Sequence, residues 1–205
     1  KAFCAGADIK GFQPTVAAGP AATLRDFVRR GQRVTSRLEN FPKPVIAAVN
    51  GLCLGGGAEL MEACHLAIAS ERARFSQPEV KLGLVPCFGG SQRLPRLIGR
   101  KRALMNMLTG DMISAAQAAE WGLVNEVVPH DGLAEAVTAL AERLAALSPV
   151  AVAANLSTVA RGLNLPIDEA LAVEALEFAR LVATEDAREG IAAFVEKRPA
   201  YWVGR

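Results

Sequence analysis

Short apolar runs and helically spaced apolar positions alternate along the first two-thirds of the chain. Residues 45–49 are apolar throughout and predict a buried strand. Residues 23–38 predict the helix before it, because Leu24, Phe27, Val28, Val34 and Leu38 recur on one helical side. Further strands are predicted at residues 66–69, 73–76 and 123–128, and further helices from residue 91 and at residues 100–108 and 115–121.

The pattern changes at about residue 133, where alanine-rich amphipathic segments take over. They cover residues 133–147, 149–163, 167–183 and 185–198 and predict four helices. We therefore expect an α/β core over residues 1–130 and a helical part over residues 131–205. Although 51% of the residues are hydrophobic, no apolar run approaches the roughly 18 that span a bilayer, so we expect a soluble protein without a membrane segment.

The composition argues against nucleic-acid binding and against sites that depend on histidine. The 23 basic and 21 acidic residues leave a net charge of +2, which does not favour a nucleic-acid-binding domain. The four cysteines form no CxxC pair, which fits reduced thiols in a cytosol-like compartment. With only His65 and His130 present, a histidine-rich metal site or a Ser-His-Asp triad has little support.

Three consecutive glycines, Gly55, Gly56 and Gly57, follow the strand at residues 45–49 and open a helix. Glycine permits a backbone bend that other residues resist, and it lets a ligand approach main-chain amides closely. The amides and the dipole of the following helix suit a phosphate or a developing oxyanion. The segment lacks both the dinucleotide-binding and the P-loop fingerprints.

Two glutamates near these glycines are candidates for proton transfer. Glu59 falls in the first turn of the glycine helix, and Glu79 follows Pro78 on a segment that leaves a strand. Carboxyl groups in partly apolar surroundings act as general acids and bases when their pKa is tuned. Each feature alone has a simpler explanation, since such glutamates usually interact with a helix dipole or with solvent.

The combination resembles the enoyl-CoA hydratase/isomerase (crotonase) family. Residues 1–10, KAFCAGADIK, are similar to its oxyanion loop AFxAGADIK, and residues 50–60, NGLCLGGGAEL, are similar to its NGxxxGGGxEL segment. Residues 75–79, 82–86, 89–94, 108–110, 119–124 and 194–198 continue the resemblance in the same order. The resemblance implies a spiral of ββα units with two roughly perpendicular sheets and a C-terminal helical part that forms trimers.

The resemblance also implies a chemistry. The main-chain N–H groups of Ala7 and Gly56 would form an oxyanion hole for the thioester oxygen, and Glu59 and Glu79 would move the protons. Because both glutamates are present, hydration of a 2-enoyl-CoA, as in fatty acid β-oxidation, is favoured over double-bond isomerisation. No metal is implied, and no cofactor other than the CoA that belongs to the substrate.

Further positions are implied to contact this acyl-CoA substrate. They are Ala5, Asp8, Ile9 and Lys10 along the CoA path, Cys87 in the pocket, and Lys197, which in the family reaches the nucleotide from a neighbouring subunit. The implied assembly is a homotrimer or a dimer of trimers. Cys87 stands where many hydratases have glycine, and it has no adjacent base that would make it a nucleophile. His65 replaces a commonly acidic residue and is interpreted as structural.

Other interpretations stay open. An isomerase or another crotonase-type enzyme is the main alternative, and an inactive CoA-binding protein is a further one. RNA binding through a stripe of Arg25, Arg29, Arg33 and Arg37 is less favoured than an ordinary solvated helix face. An early section of the family's sequence is expected to be missing, and this leaves the cytoplasm and the mitochondrial matrix as alternative locations.

Overall fold

The computed structural model describes all 205 residues, which divide into two compact units. The first contains Lys1–Glu39 and Val45–Val137, and the second contains Asn40–Pro44 and Thr138–Arg205. The division into an α/β core over residues 1–130 and a helical part over residues 131–205 remains a prediction. No single helix has the length and hydropathy needed to cross a membrane, although His130–Ala145 and Pro149–Gly162 reach them as a bent pair.

Seven strands form two sheets in the first unit. One sheet has the order β1 (Ala2–Cys4), β3 (Leu52–Leu54), β5 (Arg74–Ser76) and β6 (Ile113–Ser114). The other has the order β2 (Ile46–Val49), β4 (Leu66–Ser70) and β7 (Glu126–Val128). All neighbouring strands are parallel except β5 and β6. The prediction of an α/β fold with two sheets is confirmed.

The hydrophobic pattern did not predict β1 and β3. Each has three residues, too few for the alternation that marks a strand. They pair with each other, with Ala2 opposite Leu52, and β3 pairs with β5. This pairing brings the chain start and the glycine segment together, and it depends on contacts between residues about 50 positions apart.

Six of the seven helices of the first unit overlap predicted segments, with differences at their ends. They are α1 (Ile9–Ala17), α2 (Pro20–Thr23), α3 (Arg29–Glu39), α4 (Gly56–Glu62), α5 (Gly90–Ile98), α6 (Arg100–Thr109) and α7 (Ala115–Glu120). Ser114 caps α7 through a reciprocal capping box with Gln117. α1 was not predicted.

The continuous helix predicted over residues 23–38 is wrong in one respect. A π-helical turn, Leu24–Val28, separates α2 from α3. Its extra residue rotates everything that follows, so Val34 is 51% exposed whereas Thr35 is buried. Leu24 is also largely exposed. The inward face of this segment therefore differs from the apolar face that an α-helical period predicts.

The remaining helices lie mainly in the second unit, although the first of them begins in the first unit. The four predicted C-terminal helices are confirmed as α8 (Leu133–Ala145), α9 (Pro149–Gly162), α10 (Ile167–Val182) and α11 (Glu185–Glu196). Ser148 caps α9 with proline in its first turn, and its hydroxyl also donates to the buried carboxylate of Asp186 at 2.6 Å. The same carboxylate accepts the amides of Val203 and Gly204, which fixes the C-terminal segment on α11.

Candidate active site

A cavity of about 290 Å³ in the first unit contains both candidate glutamates. Its wall is mostly apolar, and Glu59 and Glu79 are the carboxylates that line it. Ala5, Gly6 and Ala7 also line it, as do Gly55 and Gly56. Ionisable groups in an apolar concavity are the usual mark of an active site.

Gly55 allows the strand β3 to turn into α4 next to a carboxylate. Its φ of 52° and ψ of −126° are unfavourable for a residue with a side chain. A Cβ at this position would also lie 2.9 Å from Oε1 of Glu79. The glycine therefore brings the Glu79 carboxylate against the backbone that precedes the helix.

The structure brings the two residues proposed for the oxyanion hole together. A Cβ on Gly56 would lie 3.7 Å from the nitrogen of Ala7, and a Cβ on Gly6 would lie 3.7 Å from the nitrogen of Gly56. Gly56 is the first residue of α4, so its N–H has no acceptor within the helix. A Cβ on Gly57 would overlap the carbonyl oxygen of Cys4, which shows how closely β1 approaches α4.

The side chain of Glu59 is almost completely buried and held by two backbone amides. Its Oε1 accepts hydrogen bonds from the N–H groups of Phe88, at 2.7 Å, and Gly90, at 2.8 Å. Burial raises the pKa of Glu59, and the hydrogen bonds from Gly90 and Phe88 oppose that rise. The two amides stabilise the carboxylate form in an otherwise apolar site.

Glu79 has a different environment. It begins a 3₁₀ turn, Glu79–Leu82, and its Oε2 has no hydrogen-bond partner in the protein. Burial, and to a smaller extent the charge of Glu59, raise the pKa of Glu79 to about 6. A carboxyl group with this pKa is suited to carry a proton near neutral pH.

The loop that binds Glu59 is itself fixed by α3. The Gln32 side chain donates to the carbonyl of Cys87 at 3.1 Å, and the Thr35 hydroxyl donates to the carbonyl of Phe88 at 2.6 Å. Arg93 donates to the same Phe88 carbonyl at 3.1 Å and forms an ion pair with Glu39 at 2.7 Å. The amides that face Glu59 are thus held in place from behind.

Glu62 is a buried carboxyl group that the sequence analysis missed. It follows Glu59 by one helical turn, and its Oε1 accepts a hydrogen bond from the Gln77 side chain at 2.8 Å, whereas its Oε2 has no partner. Burial raises the pKa of Glu62 well above its usual value, and the nearby Glu59 and Glu79 add to this rise. The spacing could have indicated this residue, because Glu62 follows Glu59 by three residues and so lies on the same side of a mostly apolar helix.

The other predicted contacts with substrate divide into three groups. Ala5, Ile9 and Cys87 line the cavity. Asp8 caps α1 by accepting the amide of Lys10, and neither residue is part of the cavity wall. Lys197 belongs to the second unit, where it ends α11 with a left-handed φ of 57°.

The surroundings of Cys87 and His65 do not favour a catalytic role for either side chain. Burial, reinforced by the charges of Glu59 and Glu79, raises the pKa of the Cys87 thiol to about 11, which makes a nucleophilic thiolate unfavourable. The ring of His65 accepts the amide of Val45 at 2.9 Å and lies 3.2 Å from the carbonyl of Glu39. No group of three His, Cys, Asp or Glu side chains is arranged to hold a metal ion.

Comparisons with known proteins identify the family to which the chain belongs. Residues 1–205 match the enoyl-CoA hydratase/isomerase family. The chain is 43% identical over 205 residues to the crotonyl-CoA hydratase of Syntrophomonas wolfei. The alignment covers 100% of this chain and 77% of that protein. It is also 43% identical over 198 residues to the short-chain-enoyl-CoA hydratase of Clostridium acetobutylicum, with 97% and 74% covered.

Solved structures of enoyl-CoA hydratases have the same fold as this chain. The enoyl-CoA hydratase from Bacillus anthracis superposes with a TM-score of 0.92 at 40% sequence identity. The superposition covers 100% of this chain and 78% of that protein. The similarity in both sequence and fold extends over the whole chain described here.

Proposed function

The chain belongs to the enoyl-CoA hydratase/isomerase family, and on that premise we propose that it adds water reversibly across the double bond of 2-enoyl-CoA thioesters. The observation that carries this proposal is the position of Glu59 and Glu79 in one cavity, beside the adjoining backbone of Ala7 and Gly56. Similar proteins with crotonyl-CoA and short-chain-enoyl-CoA hydratase names support the reaction class.

The backbone would stabilise the charge that develops during the reaction. The thioester oxygen accepts hydrogen bonds from the N–H groups of Ala7 and Gly56, and it becomes an enolate oxygen when water attacks the β-carbon. Removing one donor of such a pair typically lowers the rate by ~100- to 1,000-fold. Since these donors belong to the main chain, the conformation of residues 5–7 and 55–57 determines their position.

The two carboxyl groups would have separate tasks. Glu59, whose carboxylate is stabilised by two amides, takes a proton from water as the hydroxyl oxygen bonds to the β-carbon. Glu79, whose pKa is raised to about 6, donates its proton to the α-carbon of the enolate. Transfer of one proton from Glu59 to Glu79 restores the starting state. The net reaction adds water and involves no electron transfer, so it requires no redox cofactor.

An absorbance assay with crotonyl-CoA tests this function. Hydration removes the conjugated double bond, so the purified protein is expected to decrease the absorbance of the conjugated thioester. Glu59→Gln and Glu79→Gln should each lower kcat by ~100- to 10,000-fold, because each loses an acid-base group. Glu142→Gln, on the exposed side of α8, serves as the control and should keep full activity.

Two results would contradict the proposal. Folded wild-type protein that leaves the absorbance of crotonyl-CoA and of longer 2-enoyl-CoA thioesters unchanged is not a hydratase. Glutamine variants that retain the wild-type kcat would show that the acid-base groups lie elsewhere.

A further inference from the structure

We propose that the side chain of Phe88 limits the length of the acyl group that this enzyme accepts, which makes Phe88 a specificity-determining residue for short acyl chains. This inference rests on the proposed function, because it concerns the acyl part of the same thioester substrate. The evidence is the position of the ring, its immobilisation and the size of the cavity that it borders.

The Phe88 ring fills the space between two glycines on opposite sides. A Cβ on Gly56 would lie 3.1 Å from Cε2 of the ring, and a Cβ on Gly31 of α3 would overlap Cδ1 and Cε1. The two glycines therefore contact opposite edges of the same ring. The ring extends from α3 to the residue whose amide is proposed to bind the thioester oxygen.

Both the N–H and the carbonyl group of Phe88 form hydrogen bonds. Its N–H donates to Oε1 of Glu59 at 2.7 Å, while its carbonyl oxygen accepts hydrogen bonds from Thr35 and Arg93. These bonds fix the backbone of Phe88, and the close approach of Gly31 and Gly56 confines the ring itself. The same residue thus orients Glu59 and places a ring next to it.

Phe27 packs against the Phe88 ring, and Phe12 packs against Phe27 in turn. The centroid of Phe27 lies 4.9 Å from that of Phe88, and the centroid of Phe12 lies 4.1 Å from that of Phe27. The 4.9 Å separation of Phe27 and Phe88 lies within the roughly 4.5–7 Å range of favourable aromatic pairs, and Phe12 packs still closer to Phe27. All three rings border the cavity, so they form a continuous aromatic wall.

The cavity beside this aromatic wall is small. Its volume of about 290 Å³ lies at the lower end of the ~300–1,000 Å³ of typical small-molecule sites. An acyl chain whose α- and β-carbons face Glu59 and Glu79 meets the Phe88 ring if it continues toward α3. Leu84 and Val85 also line the cavity and are 42% and 70% exposed, so a chain that extends toward them would avoid the ring.

The test compares wild type with Phe88→Ala and the more conservative Phe88→Leu. Phe41→Ala removes the same phenyl group from a side chain outside the cavity wall and is the matched control. The binding of saturated butyryl-CoA, octanoyl-CoA and decanoyl-CoA is measured by calorimetry. The kcat/KM values for the corresponding 2-enoyl-CoA thioesters are measured in parallel, and circular dichroism verifies folding.

We expect wild type to prefer the four-carbon chain in binding and turnover. Phe88→Ala should raise the octanoyl-to-butyryl affinity ratio by at least ~10-fold, the effect of a few methylene contacts in an apolar pocket. Phe88→Leu should give an intermediate change, and Phe41→Ala none.

Equal preference for all chain lengths in wild type would overturn the role of Phe88, as would folded Phe88 variants with unchanged ratios. Because binding is measured without turnover, absent hydration together with chain-length-dependent binding would refute the proposed reaction and leave the inference supported.

Discussion

At the residue scale, three carboxyl groups of the first unit lie close enough for their charges to interact. Glu59 accepts two amide hydrogen bonds, Glu79 has an oxygen with no partner, and Glu62 is bonded to Gln77 alone. Burial raises the pKa of each, and each charge makes its neighbours harder to ionise. The hydrogen-bond partners therefore decide which of the three carries a negative charge.

Glu62 leads to a prediction about stability. Because its pKa is higher in the folded protein than in the unfolded chain, the unfolded state releases this proton first as pH rises above about 4.5. The free energy of unfolding contributed by Glu62 is thus present below that pH and is lost as pH rises toward its folded pKa. Glu62→Gln should make the stability less dependent on pH and increase it relative to wild type at neutral pH.

Urea unfolding of wild type and Glu62→Gln between pH 4.5 and pH 8 measures this effect. Glu142→Gln is the control, since Glu142 is exposed and its replacement should change little. If Glu62→Gln is less stable than wild type at pH 7, Glu62 is ionised in the folded protein and the sign of the prediction is wrong.

At the element scale, the approach of β1 to α4 positions the amides proposed as the oxyanion hole. Gly57→Ala tests this contact, because its Cβ would overlap the carbonyl oxygen of Cys4. Overpacking of this kind typically costs ~1–3 kcal/mol of unfolding free energy. We also expect a lower kcat for crotonyl-CoA, because displacement of β1 moves Ala7.

Gly132→Ala is the matched control, since a Cβ there would meet no atom within 4 Å. It should change the stability by less than ~0.5 kcal/mol and leave kcat unchanged. Urea unfolding and the crotonyl-CoA assay measure both variants. Wild-type stability and kcat in Gly57→Ala would show that this approach does not control the site.

Sequence patterns predicted the elements with long, regular apolar spacing. The four C-terminal helices, β2, β4 and the glycine turn into α4 follow from periodicity and from glycine chemistry. β1 and β3 were missed because they are short and depend on pairing with distant strands. The π turn changed the inward face from Val34 to Thr35, because one extra residue alters the helical phase.

The candidate site was predictable only in part. Glu59, Glu79 and the glycines were found because they form short motifs that resemble a known family. The contribution of α3 was not, since Thr35 and Gln32 bind carbonyl groups more than 50 residues away. Phe88 was missed because a phenylalanine does not signal a site before the fold shows what surrounds it. Glu62 was missed although its spacing of three residues from Glu59 was a signal.

At the scale of the whole molecule, the C-terminal helices expose large apolar side chains. Phe178, Ile191, Phe194 and Val195 are 69%, 67%, 86% and 73% exposed. Apolar surface of this extent usually marks an interface between proteins. We therefore expect trimers or dimers of trimers in solution, as the resemblance to the family implied.

Light scattering coupled to size exclusion measures the assembly directly. The expected mass is three or six times that of one chain, and Phe194→Asp should shift the population toward smaller species by placing a charge in the apolar surface. A single-chain mass at micromolar concentration would contradict the prediction.

In the proposed reaction, the oxygen of water bonds to the β-carbon and a new proton bonds to the α-carbon. Mass spectrometry of the product formed from crotonyl-CoA in heavy-oxygen water, and separately in deuterium oxide, tests this most directly. We predict one solvent oxygen and one carbon-bound deuterium in the hydroxyacyl product, with both signals strongly reduced in Glu59→Gln and Glu79→Gln. A product that contains solvent deuterium but no solvent oxygen would show that the enzyme shifts the double bond and does not add water.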